Sequence, residues 1–217
     1  MANSVPAKTR TRVVLSMRIT QASGYEEPRD SISHDWINLL QSWRMAPFPL
    51  PNGLADPAAC LDALAPELLI LTGGDDPGHD TQRDRTESIM LEYAAAKNTP
   101  ILGVCRGLQA INLHFGGTLG AITGHVAVQH AVKFDGVFSD VYGVETTVNS
   151  FHDSAVPADS LARSLVAAGV DEDGNIEALH HPSLPVAAIM WHPERLGAPT
   201  ADRLLVDRLL EEGIFWH

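Results

Sequence analysis

A cysteine that lies between two glycines is the first feature of this sequence whose residue types and spacing indicate chemistry. In Gly-Val-Cys-Arg-Gly, Cys105 has Gly103 two residues before it and Gly107 two residues after it, where an apolar run changes into a helical pattern. This spacing is typical of a nucleophile elbow, in which small neighbours allow a tight, strained turn that exposes the nucleophile. A helix N-terminus and a nearby histidine would favour the thiolate. A buried structural cysteine beside packing glycines is the alternative.

A histidine and a glutamate two residues apart could complete such a site. His192 follows the apolar run VAAIMW, and Pro193 favours extended backbone before it, so that His192 and Glu194 can project to the same side. Acyl transfer through a covalent intermediate requires a nucleophile, an imidazole that takes its proton and a carboxylate that orients the imidazole. For His192 taken alone, a capped or surface histidine is the alternative.

The dipeptide Gly73-Gly74, which follows the run ELLILT, is a candidate for stabilising a developing negative charge. Backbone N–H groups at such a turn can donate to an oxyanion, and the amide of Arg106, directly after Cys105, can supply a second donor. An ordinary glycine turn is the alternative.

The ten histidines raise the question of a metal site. Neither HExxH nor paired CxxC occurs, and the second cysteine, Cys60, lies in an apolar helical stretch. We therefore expect exposed or loop-ordering histidines, no metal and no organic cofactor. His125 and His130 precede the segment VNSFH, and whether they line the pocket is left open. The side chains considered as metal ligands are His125, His130, His180, His181, Asp75, Asp76, His79 and Asp80.

Alternating strand and helix patterns must position these groups. Apolar runs predict strands over 13–17, 67–72 and 101–104, and the periodicity predicts helices over 33–43, 83–97 and 106–115. Asp56-Pro57 is a good helix start, and the chain closes with an amphipathic helix over 199–213. Between 118 and 190 the pattern is weaker, with strands at VETTVNS and VAAIMW and a turn over 171–174. This order predicts an α/β fold with a parallel sheet, helices on both faces and ligands at the carboxyl ends of the strands.

Composition limits the classes of function. The 217 residues, 45% of them hydrophobic, are enough for one domain, which we expect over 13–217 after a disordered start over 1–12. The net charge of -12 leaves no basic surface for nucleic acid or anionic lipid. We find no signal-peptide pattern and no apolar run approaching the roughly 20 residues of a membrane span. A cytoplasmic protein that acts on small molecules, without disulfides, is the expectation.

In these motifs the sequence resembles the class I glutamine amidotransferase family, and most closely its free-standing γ-glutamyl hydrolase branch. The matching motifs lie between residues 68 and 195 and are LTGGDDP, RDRTE, PILGVCRGLQAINLHFGGTL, VNSFH, DGNIEA and MWHPE. The resemblance implies a three-layer sandwich around a mostly parallel sheet and a triad of Cys105, His192 and Glu194. It also implies an oxyanion hole formed by the amides of Gly74 and Arg106. The residues implied for holding the glutamyl group are Gly73, Gln109, Ser150, Phe151 and His152.

Two features concern the group that leaves with the amide nitrogen. Polyamine-type relatives carry a second histidine after the one that matches His152, whereas this sequence has Asp153. The segment YEEPRDSISHDW, 25–36, is similar to a subgroup of sugar-phosphoramidate and capsule pathways whose substrate is γ-glutamyl-CDP-amidate. This resemblance implies that Arg29, or a neighbouring basic group, meets the diphosphate, because guanidinium binds phosphate oxygens in a bidentate way. The alternative is that the side chains of Tyr25, Glu27, Arg29 and Asp30 decorate the start of an amphipathic helix.

Three functions are left open by the sequence. The first is a free-standing hydrolase that releases glutamate through a thioester on Cys105. The second is a glutaminase subunit that passes ammonia to a separate synthetase. The third is an inert binding module on the same fold, against which the presence of Cys105, His192 and Glu194 together argues. The two catalytic functions act on a small γ-glutamyl molecule, and a homo-oligomer or a synthetase partner is left open.

Overall fold

Nine strands form one central sheet in the computed structural model, which describes residues 10–216. The strands are β1 (Arg12–Ser16), β2 (Arg18–Gln21), β3 (Pro28–Ser31), β4 (Ala46–Leu50), β5 (Leu68–Leu71), β6 (Ile101–Val104), β7 (Gly120–Ala121), β8 (Val126–Phe134), β9 (Glu145–Phe151), β10 (Ser154–Ala155), β11 (Val166–Val170), β12 (Ile176–His180) and β13 (Val186–Ile189). The helices are α1 (His34–Ser42), α2 (Pro57–Leu64), α3 (Thr81–Lys97), α4 (Arg106–His114), α5 (Gly136–Tyr142) and α6 (Asp202–Glu212), with a 3₁₀ turn at Ala158–Ser160.

The central sheet is mostly parallel. Its order is β4-β1-β5-β6-β13-β12-β11-β8-β9, and the first five of these strands are parallel neighbours. The pairings beyond β13 are antiparallel, so that β12 and β8 alone are reversed and seven of the nine strands point the same way. The predicted α/β fold class is therefore confirmed. Two small antiparallel pairs, β2 with β3 and β7 with β10, lie outside the central sheet.

Two hydrophobic cores, one on each face of the sheet, make the fold a three-layer sandwich. On one face, buried side chains of α1, α5 and α6, such as Leu40, Phe138 and Leu205, pack against the strands. On the other face, α2, α3 and α4 do so through residues such as Leu61 and Met90. Strands β5, β6 and β13 are buried along their whole length, as strands covered on both faces must be.

Side-chain caps explain where three of the helices begin. Ser33 caps α1, and its hydroxyl accepts a hydrogen bond from the amide of Asp35 at 3.1 Å. Asp56 caps α2, in which Pro57 occupies the first turn, so the predicted Asp-Pro start is confirmed. Asp80, one of the candidate metal ligands, caps α3 by accepting from two amides.

The segment before α1 forms a strand and not the helix start that was one of its two predicted forms. Residues 28–31 form β3 and pair with β2, so the alternative in which Tyr25 to Asp30 start a helix is wrong. Extended backbone is favoured here because the fixed φ of Pro28 suits the start of an edge strand and Asp30 accepts two hydrogen bonds from Asn52.

The start of the chain and its weakly patterned middle can be compared with the predictions of a disordered N-terminus and of weak strand patterns. Residues 1–9, which hold most of the segment expected to be disordered, lie outside the described residues, and Arg12 already begins β1. Residues 118–145 contain β8 and α5, which belong to the sheet and to one of its helical layers. No helix within residues 10–216 has the length and hydropathy to cross a membrane.

Candidate active site

Cys105 occupies a strained turn between β6 and α4. Its backbone has φ 52° and ψ -106°, a combination that costs a non-glycine residue free energy. A Cβ on Gly107 would lie 2.2 Å from the carbonyl oxygen of Leu71, and a Cβ on Gly103 would lie 2.6 Å from Ile111 Cδ1. Both glycines are therefore needed for close packing around the turn. The geometry is that of the nucleophile elbow expected from the sequence.

His192 and Glu194 follow β13, the strand next to β6, and lie at the same edge of the sheet as Cys105. The register pairs Ile189 with Val104, and the amide of Cys105 donates to the carbonyl of Ile189 at 2.9 Å. His192 Nδ1 lies 2.8 Å from Glu194 Oε1, and both side chains are 3% exposed. Within residues 10–216, His192 Nε2 is buried and has no hydrogen-bond partner. This ring nitrogen is therefore free to exchange a proton with a nucleophile or a substrate.

Asn149, which the sequence reasoning missed, fixes the backbone of His192. Its side-chain amide donates to the carbonyl of His192 at 2.9 Å, and its Oδ1 accepts from the amide of His192 at 2.9 Å. Asn149 is 2% exposed and lies on β9, at the far edge of the sheet. The only signal in the sequence is its place in the motif VNSFH, directly before the residues expected to bind substrate.

Trp191, directly before His192, is anchored by a buried carboxyl group. Asp202 Oδ1 accepts from Trp191 Nε1 at 3.0 Å and from the hydroxyl of Tyr142 at 2.9 Å. Burial raises the pKa of Asp202 to about 7, and the nearby charge of Glu194 acts in the same direction, whereas the two hydrogen bonds oppose the rise. Asp202 therefore holds α6 against the strand that carries His192.

The Gly73-Gly74 turn lies against the imidazole. A Cβ on Gly73 would lie 2.6 Å from His192 Cε1, so that only glycine allows the ring to take its place. Gly74 has φ +152°, and a Cβ there would lie 2.2 Å from Arg83 Nη1 and 3.1 Å from Arg18 Nε. The turn is thus held between the candidate base and two arginines, which is compatible with the oxyanion hole predicted from the Gly74 and Arg106 amides.

A buried ion network connects this turn to the elbow. Arg83 Nη2 donates to the carbonyls of Thr72 and Gly73 at 2.7 and 3.1 Å, and its Nε donates to Glu87 Oε1 at 2.9 Å. The other oxygen of Glu87 accepts from Arg106 Nη1. The motif RDRTE carries part of the family resemblance, but the sequence gives no role to these side chains. In the fold they tie both halves of the predicted oxyanion hole to one carboxylate.

The protonation state of Cys105 differs from the expectation. Burial raises the pKa of this thiol to about 12, and the charges of Glu194 and Glu177 act in the same direction. A hydrogen bond from the backbone of Arg106 and the charge of Arg195 oppose the rise without overcoming it. The amide at the helix start lowers the pKa, as expected from the sequence, but burial outweighs this effect, so the thiol is the favoured form in the free protein.

The residues expected to hold the glutamyl group lie around the elbow. The amide of Gln109 donates to the carbonyl of Ser154 at 3.0 Å, and its Oε1 is buried without a partner among the described residues. The hydroxyl of Ser150 donates to the carbonyl of His125 at 2.6 Å. Phe151 stands edge-on to the His192 ring, with centroids 5.7 Å apart. Their roles in binding substrate stay predictions.

Two arginines of the β2–β3 hairpin have different surroundings. Arg29 is about half exposed and contacts Glu27 at 2.5 Å and the hydroxyl of Tyr25 at 2.7 Å. Arg18, on the facing strand, packs on the Gly74 turn and binds Asp75 at 3.3 Å. The predicted contact of Arg29 with a diphosphate stays a prediction, and Arg18 is a basic neighbour that the sequence reasoning did not name.

Three of the ten histidines gather beside the site. The ring centroids of His125 and His130 are 4.7 Å apart, and those of His125 and His152 are 5.0 Å apart. Glu177 lies against them, with its Oε2 3.3 Å from His130 Nε2. Burial, and then the neighbouring His125, lower the pKa of His152 to about 4.

Three other residues considered as metal ligands contact groups outside this cluster. His180 stacks on Phe138 and Trp216, and Asp76 accepts from the hydroxyl of Ser154 at 2.6 Å. His181 packs against Phe115. Asp153, which stands where polyamine-type relatives carry a histidine, is exposed.

The chain matches known proteins along most of its length. A family model described as Peptidase C26 matches residues 16–194. The γ-glutamyl-CDP-amidate hydrolase of Campylobacter jejuni is 28% identical over 188 residues, which cover 83% of this chain and 88% of that protein. A glutamine-hydrolysing GMP synthase subunit of Methanosarcina barkeri is 30% identical over 162 residues, covering 74% of this chain and 80% of that one. A solved glutamine amidotransferase structure from Thermotoga maritima has a TM-score of 0.63 at 14% identity, covering 93% of this chain and 83% of that chain, which is a likeness of fold.

Proposed function

Because the chain belongs to the peptidase C26 family of class I glutamine amidotransferases, we propose that it hydrolyses a γ-glutamyl amide through a thioester on Cys105. The observation that carries this proposal is the strained Cys105 turn beside the buried His192–Glu194 pair, at the ends of two neighbouring parallel strands. A buried structural cysteine has no need of a positive φ, nor of two glycines packed so closely around it. The family relationship supports glutamine amidotransferase-like hydrolysis as the general activity.

In the first half of the reaction, the thiol proton passes to His192 Nε2 as the Cys105 sulfur attacks the γ-carbonyl carbon. The transfer belongs in this step because a thiol whose pKa is about 12 keeps its proton in the free protein. Glu194 accepts the Nδ1 hydrogen bond and stabilises the imidazolium that forms. The amides of Gly74 and Arg106 would donate to the oxyanion. Protonation of the nitrogen by His192 then breaks the C–N bond and releases the amine.

In the second half, water hydrolyses the thioester. Neutral His192 takes a proton from the water, whose oxygen attacks the thioester carbonyl, and the sulfur leaves and regains the proton. Glutamate is the product. Each proton taken by His192 is returned within the cycle, so the mechanism requires no further cofactor.

As the substrate, we propose γ-glutamyl-CDP-amidate, which would yield glutamate and cytidine diphosphoramidate. Support comes from the Campylobacter jejuni hydrolase, of which the chain covers 88%. The exposed Asp153 in place of a second histidine argues against a polyamine leaving group as in the polyamine-type relatives. Arg18, which packs on the Gly74 turn, and Arg29, on the facing strand of the same hairpin, would supply guanidinium groups for a diphosphate.

The second candidate is a glutaminase subunit that delivers ammonia to a separate synthetase. The likeness to the GMP synthase subunit of Methanosarcina barkeri favours it, since the same triad would act on glutamine itself. The two candidates differ in whether the isolated chain turns over its substrate without a partner. A free-standing hydrolase works alone, whereas a glutaminase subunit gains activity when its partner is present.

The test is glutamate release by the purified protein from L-glutamine, a γ-glutamyl-polyamine and γ-glutamyl-CDP-amidate, assayed in parallel. We expect the highest kcat/KM with γ-glutamyl-CDP-amidate and weak turnover of glutamine. If a different conjugate is turned over best, the hydrolase proposal stands and that conjugate replaces γ-glutamyl-CDP-amidate as the proposed substrate. Glutamine hydrolysis that rises only when a synthetase is added would support the second candidate.

Single substitutions distinguish a loss of catalysis from a loss of folding. Cys105→Ala and His192→Ala should retain their circular dichroism spectra and lose about 10⁴-fold or more in kcat. Cys60→Ala is the matched control, because Cys60 is a half-buried thiol on α2 and has no part in the mechanism. Wild-type turnover by Cys105→Ala would remove the thioester from the mechanism. Full biological activity of that variant would revive the inert binding module.

A further inference from the structure

Four side chains form a largely buried cluster that takes no part in the proton transfers of the proposed mechanism. They come from three strands of the antiparallel half of the sheet or from residues next to them, and they are His125, His130, His152 and Glu177. Donor atoms of His125, His130 and Glu177 all lie within 4.8 Å of one another. His152 Nε2 lies 3.5 Å from Glu177 Oε1. The cluster is thus a set of nitrogen and oxygen donors around one small space.

The cluster is unsatisfied by the protein. Glu177 is 1% exposed, and neither of its oxygens has a hydrogen-bond partner in the range 10–216. In the same range, His152 Nε2 and both ring nitrogens of His130 are buried without a partner. A buried carboxylate without hydrogen bonds is strongly unfavourable unless a cation or a proton compensates its charge. The arrangement therefore points to a positive charge between these side chains.

The tautomer of His152 favours a metal cation over a hydrogen bond within the cluster. Its Nδ1 lies 3.1 Å from the carbonyl oxygen of Ser154, which can only accept, so Nδ1 carries the proton. The lone pair of Nε2 then faces an oxygen of Glu177, which as a carboxylate also has only lone pairs to offer. Histidines that ligate metals are commonly oriented in this way, by donating their other N–H to a backbone carbonyl.

Two of the donor separations agree with this interpretation. Nitrogen and oxygen ligands at about 2.0–2.1 Å from a tetrahedral zinc ion lie about 3.4 Å from one another. The observed separations are 3.3 Å between His130 Nε2 and Glu177 Oε2 and 3.5 Å between His152 Nε2 and Glu177 Oε1. Histidine nitrogens with one carboxylate suit zinc and neighbouring transition metals better than magnesium or calcium, which prefer oxygen ligands.

We propose that His125, His130 and Glu177 bind a divalent transition-metal ion such as Zn²⁺, with His152 as a fourth donor beside it. The ion would connect β8, the end of β9 and β12, which are otherwise joined across β11 by backbone pairing. Phe151, which packs on the His192 ring, directly precedes His152 in the chain. Occupancy of the site would therefore rigidify the strand ends next to the candidate triad.

Metal binding to the full-length chain tests this proposal. After chelation and dialysis, the protein is titrated with Zn²⁺ against a competing chelator, and with Co²⁺ followed by visible absorption. The measurements are made in wild type and in Cys105→Ala, because the second protein removes the sulfur of Cys105 as a competing ligand. We expect one ion per chain in both, and intense Co²⁺ bands between about 500 and 700 nm, typical of four-coordinate N/O ligation.

Variants locate the ion. Glu177→Gln and His130→Ala should each weaken Zn²⁺ binding at least about 100-fold, since each removes one ligand of the site. His114→Ala is the matched control, because His114 is exposed on α4, and it should bind as wild type does. His125→Ala, at a half-buried position, replaces Glu177→Gln if that protein does not fold. Absence of stoichiometric zinc in wild type, or unchanged affinity in the ligand variants, would overturn the proposal.

Discussion

Replacing Glu87 tests whether the buried ion network supports the candidate site. Glu87 is 1% exposed, and each of its oxygens accepts from a different buried arginine, Arg83 or Arg106. Asp84 completes the network by contacting Arg106 at 2.5 Å, which makes two positive and two negative charges. Glu87→Gln keeps the shape of the side chain but leaves one buried positive charge without its partner. It also turns one acceptor into an NH₂ group that faces an arginine N–H.

The expected loss of stability follows from this burial. Removal of one partner from a buried ion pair costs about 3–5 kcal/mol, because the remaining charge stays desolvated. For a chain of this size, that corresponds to a fall in Tm of roughly 6–20 °C. Urea denaturation followed by circular dichroism measures the free energy directly. In addition, kcat should fall, because Arg83 also holds the carbonyls of Thr72 and Gly73 at the predicted oxyanion hole.

The chain offers a matched control for this substitution. Arg208 and Glu212 form a pair with the same spacing in α6 and a similar distance of 3.0 Å, but Glu212 is about half exposed. Glu212→Gln should cost no more than about 0.5 kcal/mol. If Glu87→Gln costs less than about 1 kcal/mol, or no more than the control, the network does not stabilise the fold and this reasoning is refuted.

Three further substitutions test other parts of the molecule. Gly107→Ala places a methyl group 2.2 Å from the carbonyl oxygen of Leu71, and urea denaturation should show a loss of at least about 2 kcal/mol; an unchanged midpoint would contradict the packing argument. Asn149→Ala removes both hydrogen bonds to the backbone of His192 and should lower kcat roughly 10–100-fold with less effect on KM, whereas a pure KM effect would assign Asn149 to substrate binding. Asp202→Asn should abolish a pH dependence of stability. Between pH 3.8 and about 7 the folded wild type binds one more proton than the unfolded chain, so its free energy of unfolding falls by up to about 4 kcal/mol as the pH rises. Parallel pH profiles of the two proteins would refute this assignment.

The elbow could be predicted from the sequence because its causes are local. The glycines on either side of Cys105 are required by atoms within a few residues or on the next strand, and a tight strand-to-helix turn has few solutions. The caps of α1 and α2 were similarly readable from Ser33 and from Asp56-Pro57. Strands β1, β5, β6 and β13 of the parallel half were predicted from apolar runs that the sheet buries, whereas the edge strand β4, which contains two prolines, was not predicted.

The remaining features depend on contacts between distant segments. Asn149 meets His192 across 43 residues of sequence, and Arg106 meets Glu87 across 19, so no spacing rule connects them. The gathering of His125, His130 and Glu177 is of the same kind, because β11 pairs with both β8 and β12 and so brings these two strands together. The high pKa of Cys105 also had to come from the fold, since burial, and not the position at a helix start, decides it.

The burial of Cys105 has a consequence for oxidative conditions. Peroxide attacks the thiolate and needs access to the sulfur, whereas this side chain is 4% exposed and retains its proton well above neutral pH. The free protein should therefore resist conversion to the sulfenic acid far better than a cysteine enzyme that holds a preformed thiolate. A γ-glutamyl substrate would draw the proton onto His192 only during turnover. At that stage the acyl group itself shields the sulfur from peroxide.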